Sequence, residues 1–214
     1  MTEKVIQEKD LESMERFYRT NLINSLSGFK SVNLVGTIDG RGRTNLAIFS
    51  QVFHLGANPA LMGMIVRPDS APRHTLANLI ETGSFTLNHI REDFYRQAHQ
   101  TSANYSASES EFAACGFTPW FSGKVAAPYV RESSVKIGLE FRDRVDLAIN
   151  RTILVIGAVV EIIVPGDCLL PDGYLDIEKA GTITSSGLDG YHTTQRLSRL
   201  SYAKVDREPR EIAN

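Results

Sequence analysis

Two stretches of the 214-residue chain carry side chains suited to an elongated, phosphorylated ligand. The first is Thr44-Asn45-Leu46-Ala47-Ile48-Phe49-Ser50, which mixes small polar residues with apolar ones. Ala47 lacks bulk, so a flat ligand can approach the backbone there, and Asn45 and Ser50 offer short donors and acceptors to ring heteroatoms. Taken alone, the same residues also make a plain amphipathic strand. The second stretch runs from Arg67 through Pro68 and Pro72 to Arg73-His74-Thr75, where a strand passes into a helix. The first N–H groups of a helix lack intrahelical partners and its dipole is positive at that end, so such a junction attracts an anion. Arg73, with Arg67, can pair with a phosphate there, while the Thr75 hydroxyl binds it or caps the helix. Taken alone, this is equally a surface loop with solvated arginines. Together the two stretches can hold one ligand, its planar head on the strand and its phosphate at the helix, which is the shape of flavin mononucleotide (FMN).

Other chemistries have little support. The chain contains no P-loop, no G-x-G-x-x-G following a strand and no G-x-S-x-G nucleophile elbow. Its five histidines (His54, His74, His89, His99 and His192) include no H-x-H or H-E-x-x-H pair, so no metal site is expected. Cys115 and Cys168 form no C-x-x-C motif and read as two thiols in a reducing cytosol. With 25 acidic and 23 basic residues the net charge is −2, which argues against a nucleic-acid groove. The start of the chain lacks the apolar run of a signal peptide. The longest apolar run, Ile153 to Val164, is too short and interrupted to span a bilayer. A cytoplasmic protein without nucleic-acid or membrane partners is the expectation.

The elements that must position these residues follow from the hydrophobic pattern. Leu11, Met14, Tyr18 and Leu22 predict one amphipathic helix capped by Asp10. Residues 31–38 and 44–54 predict two strands joined through the Asp39-Gly40-Arg41-Gly42 turn, and 61–66 a third. Leu76, Leu79 and Ile80 predict a short helix stopped by Gly83, followed by a strand over 84–88. The stretch from Arg91 to Cys115 reads as helical or irregular, with a short helix opening near Ser108–Phe112. Alternation from Val135 to Arg142 predicts a strand with one wet face, and Thr152–Val164 a long strand buried on both sides, by the barrel interior on one and a subunit contact on the other. The polar tail from Asp206 to Asn214 looks frayed. Many antiparallel strands with few helices give a mainly β barrel with helical decorations.

In order and spacing these pieces resemble the flavin reductase-like, FMN-binding split-barrel family, which includes flavoredoxins and reductase components of two-component monooxygenases. The resemblance rests on Asp39-Gly40, Asn45-Leu46-Ala47-Ile48-Phe49-Ser50, Arg73-His74-Thr75-Leu76-Ala77-Asn78 and Thr82-Gly83-Ser84-Phe85-Thr86-Leu87-Asn88. Ser110-Glu111-Phe112, Ile156-Gly157-Ala158-Val159, Gly187-Leu188-Asp189-Gly190-Tyr191 and Arg199-Leu200-Ser201-Tyr202-Ala203-Lys204 also sit in family-like places. The similarity covers roughly residues 20–205.

The resemblance implies a six-stranded antiparallel split β-barrel of Greek-key type with a few short helices, forming a homodimer with one FMN per site near the subunit interface. It divides the chain into a helical extension (1–24), the barrel domain (25–205) and a polar tail (206–214). It further implies that Thr44, Asn45, Leu46, Ala47, Ser50, Gln51, Val52 and Phe53 face the ring and ribityl chain. Arg73 and Thr75 would hold the phosphate, with Arg67 and His74 nearby, and the tail around Tyr191 and Arg199, of this subunit or its partner, would complete the pocket. The implied activity is hydride transfer from NAD(P)H to FMN, with electrons passed onward to a monooxygenase or other acceptor. No side chain is required as catalyst. Three positions depart from the family pattern: His74 where Asp is common, Thr152 where many reductases carry His, and Ala158 where Glu is common. A flavoredoxin-like carrier without efficient NAD(P)H turnover, or a barrel for another small ligand, remain the alternatives.

Overall fold

The Asp39–Arg43 turn is built by one carboxylate. Asp39 Oδ1 accepts the backbone N–H groups of Arg41 at 2.9 Å and Arg43 at 2.8 Å, and Gly42 takes the positive φ of 81° that a bulkier residue would resist. These bonds hold the Asp39 carboxyl below the usual carboxylate range. The computed structural model describes residues 2–68, 74–106 and 108–212. In chain order its helices are α1 (Glu8–Ser13), α2 (Arg16–Ser25), α3 (His74–Thr82), α4 (Tyr95–Gln100) and α5 (Glu111–Ala114). Its strands are β1 (Lys30–Ser31), β2 (Asn33–Ile38), β3 (Thr44–Phe49), β4 (Val52–Ala57), β5 (Ala60–Val66) and β6 (Ser84–His89). They continue with β7 (Pro119–Trp120), β8 (Tyr129–Val130), β9 (Lys136–Leu147), β10 (Thr152–Ile163), β11 (Thr184–Ser186) and β12 (Gly190–His192).

Seven strands form one antiparallel sheet in the order β3-β2-β6-β9-β10-β5-β4. Its two edge strands, β3 and β4, are consecutive in the chain and separated only by Ser50 and Gln51. A flat sheet would hold them about 29 Å apart, six spacings of about 4.8 Å, whereas the three Cα steps from Phe49 to Val52 reach only about 11 Å. The sheet must therefore curl until its edges meet at that corner. There Gln51 C=O accepts the Ile65 N–H at 2.9 Å and the Ser31 hydroxyl donates to the Val52 carbonyl. β3 and β4 do not pair with each other, so the barrel is split between them. The continuous strand expected over 44–54 is two strands, which raises the expected six to seven.

Two apolar layers flank this sheet. Val35, Val52, Met64, Val66, Leu79, Phe85, Leu87, Leu139 and Val155 pack on one side, capped by α3. Val32, Leu34, Leu46, Ile90, Phe94, Phe112, Phe117 and Val130 pack on the other, beneath α4 and α5. A second, three-stranded sheet in the order β1-β11-β12 lies beside the barrel, and β7 and β8 form a short ribbon. No helix among the described residues is long and apolar enough to cross a membrane.

Several expectations need correction. The N-terminal helix is two, because the chain turns extended at Met14 and Glu15 and the Glu15 carboxylate accepts the Tyr18 N–H at 2.9 Å as a new cap. Asp10 lies inside α1 and accepts the Gln7 N–H at 2.8 Å rather than capping from outside. In the single chain β10 buries Ile153 and Val155 while alternate residues stay partly open, which is compatible with the subunit contact expected on that face. The tail is not frayed up to Ile212. Ser201 N–H donates to Arg210 C=O and Ile212 N–H to Arg199 C=O, both at 2.8 Å, making a hairpin. Arg199 roots it by pairing with Asp172 and lying 4.0 Å over the Tyr174 ring. The α3 helix is as expected, ending where Gly83 (φ 71°) donates to Leu79 C=O at 3.0 Å, although Ile80 stays exposed.

His89, at the end of β6, has Nδ1 2.9 Å from the Thr182 hydroxyl, and burial pushes its pKa down to about 4. Between the ordinary value of 6.5 and about 4, the unfolded chain binds a proton that the folded chain refuses. Stability should therefore fall as pH drops through that window, by on the order of 2–3 kcal/mol. Urea denaturation at pH 7 and pH 4.5 checks this. His89→Gln should show a clearly smaller loss between those pH values, and an unchanged loss would assign the acid sensitivity elsewhere.

Candidate functional site

Between the β3 edge, the start of α3 and the three-stranded sheet lies a cleft of about 500 Å³, a volume suited to a small organic ligand. Of the residues expected to contact a ligand, Asn45, Ala47, Ser50, Gln51, Arg67, His74 and Thr75 line it. Thr44 does not; its hydroxyl shares a 2.7 Å hydrogen bond with Ser110. The Leu46 side chain is fully buried in the α4–α5 layer and Val52 in the α3-capped layer. Phe53 turns to the outer face of β5, where its ring covers Gly63; a Cβ at Gly63 would stand 2.6 Å from it. Arg73 lies outside the described residues.

The two stretches meet through buried amides. Asn45 Nδ2 donates to the hydroxyls of Thr75 at 3.1 Å and Thr37 at 3.3 Å, and Asn78 Nδ2 donates to Thr37 at 3.2 Å. All four side chains are buried, so the first turn of α3 is fixed against β2 and β3. Asn45→Ala should lower the unfolding free energy by about 1–3 kcal/mol, because Thr37 and Thr75 lose a buried partner. A urea titration showing a loss below about 0.5 kcal/mol would remove Asn45 from that role.

The β3 edge is selectively occupied. Glu111 Oε2 accepts the Leu46 N–H at 3.0 Å, so that backbone donor is not available to a ligand. Alternate residues of a strand share an edge, so the Ile48 N–H points the same way as that of Leu46, and Ile48 lines the cleft. The next outward-facing backbone donor of β3 that the cleft offers is therefore that of Ile48, two residues along the strand. Burial pushes the Glu111 carboxyl upward, against the Leu46 N–H that lowers it.

The opposite wall includes residues the site expectations omit. His99, the 101–105 loop, Ser185 and Leu188 are the additions, and they line it together with Tyr191, which is expected there. His99 Nδ1 lies 2.8 Å from the Tyr191 hydroxyl, and the Tyr95 and Tyr191 rings are 5.4 Å apart. Burial, with the Asp189 charge second, pushes the Tyr191 hydroxyl up to about 12, so it is neutral at pH 7. Tyr191 and Glu111 fall in motifs that signal the family; the 101–105 loop carries no such signal. Neither Thr152 nor Ala158 lines the cleft, and the Thr152 hydroxyl instead donates to Asn150 at 2.7 Å. No group of three or more His, Cys, Asp or Glu residues suited to a metal occurs among the described residues.

The sequence profile described as flavin reductase like domain matches residues 29–178. The chain belongs to the flavin reductase-like family. A crystal structure from Shewanella frigidimarina NCIMB 400, described as a candidate flavin reductase with a split barrel domain, is 47% identical and superposes with a TM-score of 0.91. The match covers 94% of this chain and 100% of that one. Nitrilotriacetate monooxygenase component B from Bacillus cereus has the same fold at 22% identity and a TM-score of 0.81, covering 94% and 100% of the two chains. An uncharacterized protein of Aquifex aeolicus (strain VF5) is 27% identical over 135 residues, 62% of this chain and just under two thirds (66%) of that protein. The flavin reductase-like family is thus joined to a split-barrel fold, and both support a flavin-linked redox function.

Proposed function

We propose that this chain is an FMN-dependent oxidoreductase of flavin reductase type that takes hydride from NAD(P)H and passes electrons onward, acting as a homodimer. The observation that carries the proposal is one cleft reaching from the start of α3, along the open part of the β3 edge, to the Leu188–Tyr191 wall. The residues fit the cofactor. Ala47 leaves room beside the strand, the helix start suits a phosphate, and a buried Ser185 hydroxyl on the cleft has no partner among the described residues.

A bound FMN would supply the redox chemistry, hydride uptake and electron release. Thr75 and the first N–H groups of α3 would hold the phosphate, with Arg73 and Arg67 supplying positive charge. Asn45 fixes the Thr75 hydroxyl, Glu111 fixes the strand edge, and Tyr191 would give the ring an uncharged aromatic wall. No protein acid or base is needed. The exposed apolar side chains Phe17 (72%), Leu26 (70%), Leu197 (99%) and Tyr202 (91%) are surface that a second subunit would cover.

Steady-state oxidation of NADH and NADPH by the purified protein with added FMN tests the activity. Turnover well above the rate without protein is expected with at least one nucleotide. Tight FMN binding without turnover would instead favour the flavoredoxin-like carrier, the reading motivated by Thr152 and Ala158 standing where related reductases commonly carry His and Glu. Absence of both binding and turnover would overturn the proposal.

A further inference from the structure

We propose that Ser185 is a ligand contact whose hydroxyl pairs with a polar atom of the flavin ring, an assignment that rests on the FMN reading above. Ser185 lies in the middle of β11, between Lys30 of β1 and Tyr191 of β12. The residue is only 5% exposed, and its Oγ is buried without a hydrogen-bond partner among the described residues. A buried hydroxyl left unpaired is costly, so its retention on a cleft wall calls for a partner that arrives with the ligand. Two other serine hydroxyls, those of Ser84 and Ser133, are buried and unpaired in the same way, but neither lines the cleft.

The surroundings keep the Ser185 hydroxyl where it is. Beside it, the buried Lys30 ammonium donates to Asn24 C=O at 3.1 Å and Gly187 C=O at 2.6 Å. The first of these carbonyls belongs to the last turn of α2, whose dipole favours a cation. Lys30 thereby ties the end of α2 to the β11–β12 turn and makes the wall stiff. Position along the cleft selects the ring over the phosphate. α3, the phosphate end, packs on β2, β3 and β6, whereas β11 belongs to the separate three-stranded sheet. The cleft neighbours of Ser185 on that wall are Leu188 and Tyr191, surfaces suited to a planar ring. The ring edge carries both carbonyl acceptors and an N–H donor, and a hydroxyl can serve either.

Ser185→Ala is nearly isosteric and should act with opposite signs in the two states. In the apo-protein, removing the unpaired hydroxyl should raise Tm by about 2–4 °C. In the complex, Kd for both FMN and lumiflavin should rise about three- to tenfold, with a shift of the visible flavin absorption band. Ser133→Ala should raise the apo Tm without moving either Kd or the spectrum. Unchanged FMN affinity and spectrum in Ser185→Ala, or a lowered apo Tm, would overturn the assignment. A loss confined to FMN, with lumiflavin unaffected, would overturn the ring contact specifically. If the wild-type protein binds neither flavin, the functional proposal itself falls, and the Ser185 assignment falls with it.

Discussion

Replacing Arg73 with alanine is expected to weaken FMN about ten- to hundredfold and to leave riboflavin within about twofold. Riboflavin shares the ring and ribityl chain and lacks only the phosphate, so the pair isolates the phosphate end. Arg73 immediately precedes α3, whose first residues, His74 and Thr75, line the cleft. A phosphate seated there gains the free N–H groups of the first helical turn and the positive end of the dipole. An arginine at that junction adds charge-assisted hydrogen bonds, each contributing roughly 1.5–3 kcal/mol. Thr75 is already fixed by Asn45 at 3.1 Å, so loss of the guanidinium should leave the rest of the site in place. Fluorescence titrations of the two flavins against wild type and variant measure the effect. Equal losses for both flavins would refute the phosphate assignment.

Gly36→Ala should be the most damaging small substitution in the barrel. A Cβ at Gly36 would stand 2.1 Å from Pro128 O and 2.6 Å from Thr86 Oγ1. Neither neighbour can yield cheaply, since one is backbone and the other donates to that same carbonyl at 2.6 Å. Asn88 stiffens the region further, its Oδ1 accepting the Val130 N–H at 2.9 Å and its Nδ2 donating to Leu34 C=O at 3.0 Å. The clash must be relieved by moving the 128–130 segment off β2 and β6, which should cost about 3 kcal/mol and lower Tm by about 6–12 °C. Thermal and urea melts decide it. A loss below about 1 kcal/mol would show that the segment can shift freely.

Local rules made much of this architecture legible before any coordinates. The Asp39–Gly42 turn, the α3 helix with its Gly83 stop and the alternation from Val135 to Arg142 each obey a rule that needs no distant partner. The break at Ser50–Gln51 was not legible, because both halves of 44–54 have strand composition and only barrel closure forces the chain to turn there. The N-terminal helix split for a similar reason: the apolar spacing of Leu11, Met14, Tyr18 and Leu22 fits one helix, whereas the Glu15 cap starts a second. The tail hairpin depends on Arg199 meeting Asp172 and Tyr174, contacts across distant parts of the sequence.

The candidate site divides in the same way. Asn45, Ala47, Ser50, Thr75 and their neighbours follow from types and spacing along two short stretches. Leu46 lies in the first stretch and Val52 and Phe53 just beyond it, but strand parity and the corner turn them into the two core layers or onto the outside of β5. Glu111, His99 and Ser185 reach the cleft only through tertiary packing. Nothing in the spacing of Ser185 distinguishes it from any other strand serine; its unpaired burial does.

A crystal structure of the FMN-loaded protein would test the central claim most directly. The account predicts the phosphate at the start of α3 within hydrogen-bond reach of the Thr75 hydroxyl. It places the ring along the Ala47–Gln51 edge, facing Tyr191. An FMN-soaked crystal with the flavin bound elsewhere, such as the separate cleft lined by Arg91, Glu178 and Thr193, would contradict it.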